Sequence, residues 1–115
     1  MASLPANENM LDRAIDEAER LFVSAGRAKV TAEGMDERRK RVRATLFVKY
    51  RGDGKGSGES EQFALADPVY ELACADWEAA AMEAETLRAQ AEAKRMRFEA
   101  WRTASATERA KMGLR

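Results

Sequence analysis

Histidine is missing from this 115-residue chain altogether. With it go the usual general base, the usual zinc ligand and every Ser–His or Cys–His pair. Cysteine occurs once, as Cys74, which excludes an intrachain disulfide and gives no sign of an oxidising compartment. A lone thiol in an Ala-rich segment reads as a small buried hydrophobe. Proline occurs only at positions 5 and 68, so nearly the whole chain is free of the residue that most strongly breaks a helix. Aromatic residues make up 7%, too few for a thick core. No apolar run approaches the length of a membrane span, and "MASLPANENMLDR" meets acid too early for a secretory signal. Carboxylate-only metal or hydrolytic sites remain chemically conceivable, but the acids are scattered as solvated charge. The expectation is a soluble, cytoplasmic protein that is not an enzyme and needs no cofactor or metal.

What the chain does have is charge and alanine. Charged residues are 35% of it, with 20 acids and 20 bases, and Ala, Glu, Arg, Leu and Lys dominate. That composition belongs to long helices or coiled coil. Met10, Leu11, Ala14, Ile15, Ala18, Leu21, Phe22 and Ala25 recur at the spacing of one helical face. Asn7 or Asn9 is placed to cap that helix, and Gly26 to interrupt it, so residues 1–34 read as an amphipathic N-terminal element. From Met35 to Tyr50 a basic helix follows, with Met35, Arg39, Val42, Leu46 and Lys49 on one face. "TLFVKY" (45–50) also has strand propensity and could pair with "EQFALA" as a hairpin. Helix is favoured, because an isolated two-stranded ribbon is marginal.

Residues 51–60, "RGDGKGSGES", hold four glycines and read as a flexible loop. Their "GDGKGS" lacks the Lys-Ser/Thr pair of a phosphate-binding loop, since Gly56 follows Lys55. Asp67-Pro68 then announces a new helix, an acidic cap followed by proline at the first helical position. Nothing interrupts it to Met112, a length on the order of 65 Å. Its heptad seam is Tyr70, Trp77, Ala84, Ala91 and Phe98 at one position, Ala73, Ala80, Leu87, Lys94 and Trp101 at the other. The fold expected is therefore all-α: a helical hairpin over residues 35–115 with a long C-terminal coiled-coil helix (67–112). With so thin a core the chain is expected to assemble into a homo-oligomer through Leu11, Ile15, Phe22, Tyr70, Trp77, Leu87, Phe98 and Trp101.

Net charge is zero, but the charges lie in blocks. Residues 35–56 carry eight bases and three acids, residues 57–92 nine acids and one base, residues 93–115 seven bases and two acids. Folding the first basic block back on the acidic one neutralises both and selects register more than it adds stability. The second basic block has no such partner in the hairpin, and exposed cations repeated by symmetry make a polyanion-binding surface. Its centre is "KRMRFEAWR", where Lys94, Arg95, Arg97 and Arg102 interleave with Met96, Phe98 and Trp101, and Arg88 lies upstream. The rings occupy seam positions, so burial is favoured over base stacking. Arg95, Arg97, Arg102, Arg109 and Lys111 point elsewhere and are free to meet phosphate.

The order of "VRATLFVKYRG", a glycine-bearing loop, the "ALAD" helix entry and the closing "FEAWRT…ERA" resembles small helical phage proteins encoded among replication and recombination genes. More distantly it is similar to the UvsY-type recombination mediators of T-even phages. The likeness spans roughly residues 35–110. It implies a ring-forming, non-enzymatic protein of the host-cell cytoplasm. Such a protein binds single-stranded DNA and helps a recombinase or single-strand annealing protein displace single-strand-binding protein. The family's DNA-contacting basic residues beside the glycine turn would correspond to Arg38, Arg39, Lys40, Arg41, Arg43, Lys49, Arg51 and Lys55. Two other functions fit the same composition. One is a phage adaptor or inhibitor that binds a host protein through an acidic helical face, and the other is a structural coiled-coil protein.

Overall fold

A computed structural model describes residues 8–113. Among these the chain is all-helical: α1 spans Glu8–Gly52, α2 Ser57–Ala66 and α3 Pro68–Gly113. The residues cluster into two compact units. One is Gly26–Glu85; the other joins Met1–Ala25 with Thr86–Arg115.

The glycine positions correct three boundaries. α1 runs unbroken through Gly26 and Gly34, because good helix formers on both sides outweigh about 1 kcal/mol per glycine. Residues 1–34 are thus not a separate element. Asn9 lies inside α1 and not at its cap, and Asn7 falls outside the described residues. "TLFVKY" is helical, as favoured. The loop is far shorter than residues 51–60, since Gly52 closes α1 and Ser57 already begins α2. Its glycines build a helix end. The Gly54 N–H donates to the Arg51 carbonyl at 3.0 Å and the Lys55 N–H to the Tyr50 carbonyl at 3.2 Å, the paired bonds of a Schellman motif. Gly54 sits at φ +91°, where a side chain is strained. In α2, "SGESEQFALA" holds only Gly58, in the first turn. Its other residues include the helix formers Glu, Gln, Ala and Leu.

Asp67 joins α2 to α3. Its N–H donates to the Ala64 carbonyl at 3.3 Å, and its own carbonyl accepts the Glu71 N–H at 3.0 Å. Its carboxylate accepts the Val69 N–H at 2.8 Å, with Pro68 at the first helical position as the sequence indicates. The Tyr50 hydroxyl donates to the other carboxylate oxygen at 2.7 Å, fastening the end of α1 to the start of α3.

In the Gly26–Glu85 unit, α1 and α3 lie antiparallel with α2 at the turn. Leu46, Ala64 and Tyr70 are buried together, flanked by Val42, Tyr50 and Cys74. Cys74 is half-buried and free. The Tyr50 and Phe63 rings meet at 5.4 Å. The Arg39 guanidinium lies 4.5 Å over the Trp77 ring and donates to the Tyr70 hydroxyl at 3.4 Å. In the other unit Ala91 is buried, and Leu11, Ile15, Leu87, Phe98 and Trp101 are half-buried. Lys94 reaches from α3 to Glu17 of α1 at 3.2 Å.

All ten seam positions of α3 are buried or half-buried in the single chain. Tyr70 and Trp77 are covered by α1 of the same chain, so covering them does not require a second subunit. Of the residues expected at an oligomer interface, Tyr70 is buried and Phe22 is exposed; the other six are half-buried.

Candidate nucleic-acid interface

The two basic blocks differ in what surrounds them. In the Gly26–Glu85 unit five of the first block's eight cations pair with acid. Arg38 lies 3.9 Å from Asp76, and Lys40 lies 3.4 Å from Asp36 and 3.6 Å from Glu37. Arg39 Nε donates to Asp36 at 3.2 Å. Arg43 pairs with Glu61, and Lys55 lies 3.8 Å from Glu59 and 4.2 Å over the Phe63 ring. The Arg39 guanidinium holds the Asp36 carboxyl below its usual range, with Lys40 adding to the effect. Arg39 is pushed further above its usual value by the same bond. Arg51 donates to the Lys55 carbonyl at 3.3 Å and Lys49 lies over the Tyr50 ring at 5.2 Å. Arg41, Lys49 and Arg51 are exposed and form no ion pair among the described residues. Arg39 is therefore a packing residue, half-buried between Trp77 and Tyr70, although its place in a basic run marks it for phosphate.

The second block is arranged otherwise. Arg95 is held by Glu92 and by Glu99, the latter at 2.8 Å, and Lys94 by Glu17. Arg95 keeps the Glu92 carboxyl below its usual range. Arg97, Arg102, Arg109 and Lys111 are exposed and have no acidic partner among the described residues. Beside them the Phe98 and Trp101 rings meet at 5.6 Å, tilted by 43°. These rings, with Arg102, Ser105 and Arg109, line an open groove of about 910 Å³ on α3.

Arg95, Arg102 and Arg109 recur every seventh residue, which aligns them along one helix edge at about 10.5 Å intervals. That heptad spacing was readable in the sequence; the groove that Arg109 borders was not. The neutralisation of Arg95 by Glu92 and Glu99 follows from the same helical spacing, since they lie three residues before it and four after it. Among the described residues no three Asp, Glu, Cys or His side chains converge on a metal-sized site, and no helix is long and apolar enough to cross a membrane. Comparison with protein families, with curated proteins and with solved structures gives no match.

Proposed function

We propose that the chain is a non-enzymatic, self-associating accessory protein that binds single-stranded DNA. It is of the recombination-mediator type and helps load a recombinase or annealing protein. The observation that carries the DNA part is the contrast between the two basic blocks. Cations 35–56 are largely neutralised by neighbouring acids, whereas Arg97, Arg102, Arg109 and Lys111 stand free beside the Phe98–Trp101 pair. Unpaired cations gain most from phosphate, because binding releases condensed counterions and breaks no ion pair. The contact falls on the backbone, so little base preference is expected. The α3 end is accordingly favoured over the glycine turn as the binding face.

A gel shift with a labelled single-stranded oligonucleotide at low and moderate salt tests this. Binding at low salt that weakens steeply with salt is expected; no shift even at low salt removes DNA from the account. A second reading, an adaptor for a basic host protein, draws on Glu71, Glu78 and Glu83, which are exposed and unpaired on α3. Co-purification of one host protein without nucleic acid would favour it.

A further inference from the structure

In the unit that joins Met1–Ala25 with Thr86–Arg115, the seam of α3 ends in two rings. Seven residues after Phe98 and Trp101 stand Ser105 and Glu108, and Met112, one heptad further, is 68% exposed. The rings are thus the last large apolar side chains that the seam half-buries. Beyond them it turns polar: Phe98, Arg102, Ser105 and Arg109 follow one another at four, three and four residues, along one side of α3. The groove of about 910 Å³ opens on this stripe, and every described residue that lines it belongs to α3. Among the described residues α1 supplies none of its wall. Both rings line it, so their remaining exposure is turned toward it. Tilted 43° to one another, they do not lie flat together, an arrangement in which each would hide a face of the other.

A groove of this volume has room for a small organic group, and its chemistry narrows the occupant. The rings call for a flat apolar or aromatic face, and the exposed Arg102 and Arg109 call for an anion. The acid on its lining, Glu99, is engaged by Arg95 at 2.8 Å. A second copy of the same segment fits poorly, because residues 93–115 carry seven bases and two acids and two such segments repel. A bare anion would engage the arginines and leave the rings uncovered. A nucleotide strand answers both demands, with a π-face for the rings and phosphates for the arginines.

We propose that an unstacked base of a bound single strand lies against the Trp101 ring in this groove, while Arg102 and Arg109 take phosphates of the same strand. The inference rests on the DNA part of the proposed function and adds a reason for preferring single strands. In a duplex each base face is already covered by its neighbours, so only backbone contacts remain. Tolerance of base sequence is kept, since every base has a π-face.

Anisotropy titrations at low salt test it with three probes of equal length: a single-stranded oligonucleotide, its duplex, and an abasic strand carrying the same phosphates. Wild type should bind the single strand about tenfold more tightly than the abasic strand. Trp101→Leu, which keeps an apolar side chain at the end of the seam, should lose that margin, with duplex binding and helicity by circular dichroism unchanged. Trp101→Phe, which keeps a ring, should retain most of it. In Trp77→Phe, where Trp101 is the remaining indole, the single strand should quench fluorescence and the abasic strand should not. Equal binding of single and abasic strands by wild type overturns the proposal and leaves the DNA reading standing. So does Trp101→Leu that binds the single strand as wild type does, or that weakens on all three probes alike. Rings covered by a second copy instead would show as indole fluorescence that changes with protein concentration without DNA, and as a sedimented mass that Trp101→Leu lowers. That result also overturns the proposal. No binding of any probe removes the DNA reading, and the stacked base with it.

Discussion

Asp67 holds the corner between α2 and α3 through a carboxylate that two donors address. The Tyr50 hydroxyl first, and then the Val69 N–H, keep it below the ordinary carboxylate range. The same bond raises the Tyr50 phenol above its ordinary value. A lowered carboxylate contributes stability above its unfolded pKa and loses it as pH falls through the folded one; a raised phenol contributes below its unfolded pKa and loses it as pH rises through the folded one. The latch therefore holds across the neutral range and weakens at both ends. Thermal melts of Tyr50→Phe should show a midpoint lower by a few degrees at neutral pH and a flattened alkaline limb. Asp36 retains part of the acid limb through Arg39. An alkaline limb identical to wild type would show that the Tyr50–Asp67 bond contributes nothing. Deeper in the unit, Leu46 is among the few large side chains that are buried. Leu46→Ala should cost about 2–4 kcal/mol in denaturant unfolding; a loss below about 1 kcal/mol would mean that this cluster does not hold the helices together.

At the scale of elements, the long helices depend on helix formers outweighing two internal glycines in α1. Gly26 touches nothing a side chain would disturb, so Gly26→Ala should raise stability by about 0.5–1 kcal/mol, measured as a higher melting midpoint. Gly54→Ala should act oppositely, because its backbone sits at φ +91°. Equal effects would contradict the division between an in-helix glycine and a helix-ending one. That division also marks where the sequence was and was not legible. The inner seam of α3 and its start at Asp67-Pro68 could be read from period and cap chemistry. Gly26 looked like a stop because local propensity ignores what long, strong flanks tolerate. α2 was hidden for the opposite reason: glycine density around 52–58 masked a ten-residue helix whose first turn accepts Gly58. The hairpin of α1 on the start of α3 was legible from the charge blocks, but not that it alone covers Tyr70 and Trp77. A heptad stripe reports that a partner is needed, not whose helix provides it. At the candidate interface the exposure of Arg97, Arg102 and Arg109 followed from the helical period. The fate of Arg39 depended on Trp77 and Tyr70, distant in sequence, whereas the partners of Arg95 lie at helical spacing on its own helix.

For the whole molecule, zero net charge conceals an uneven distribution of ion pairs. The hairpin around the glycine turn neutralises most of its own cations, and the end of α3 does not. A DNA contact there should be sensitive to salt and tolerant of base sequence. Its strength should depend on α3 cations far more than on those that the family resemblance singles out beside the turn. The direct measurement is an anisotropy titration of a labelled single-stranded oligonucleotide at low salt with two triply neutralised proteins. Arg97→Gln/Arg102→Gln/Arg109→Gln should bind about tenfold or more weakly than wild type, since three phosphate contacts are lost. Arg38→Gln/Lys40→Gln/Arg43→Gln, which removes cations already paired with acids, should bind nearly as wild type does. The reverse order, or equal binding by all three proteins, would contradict the account.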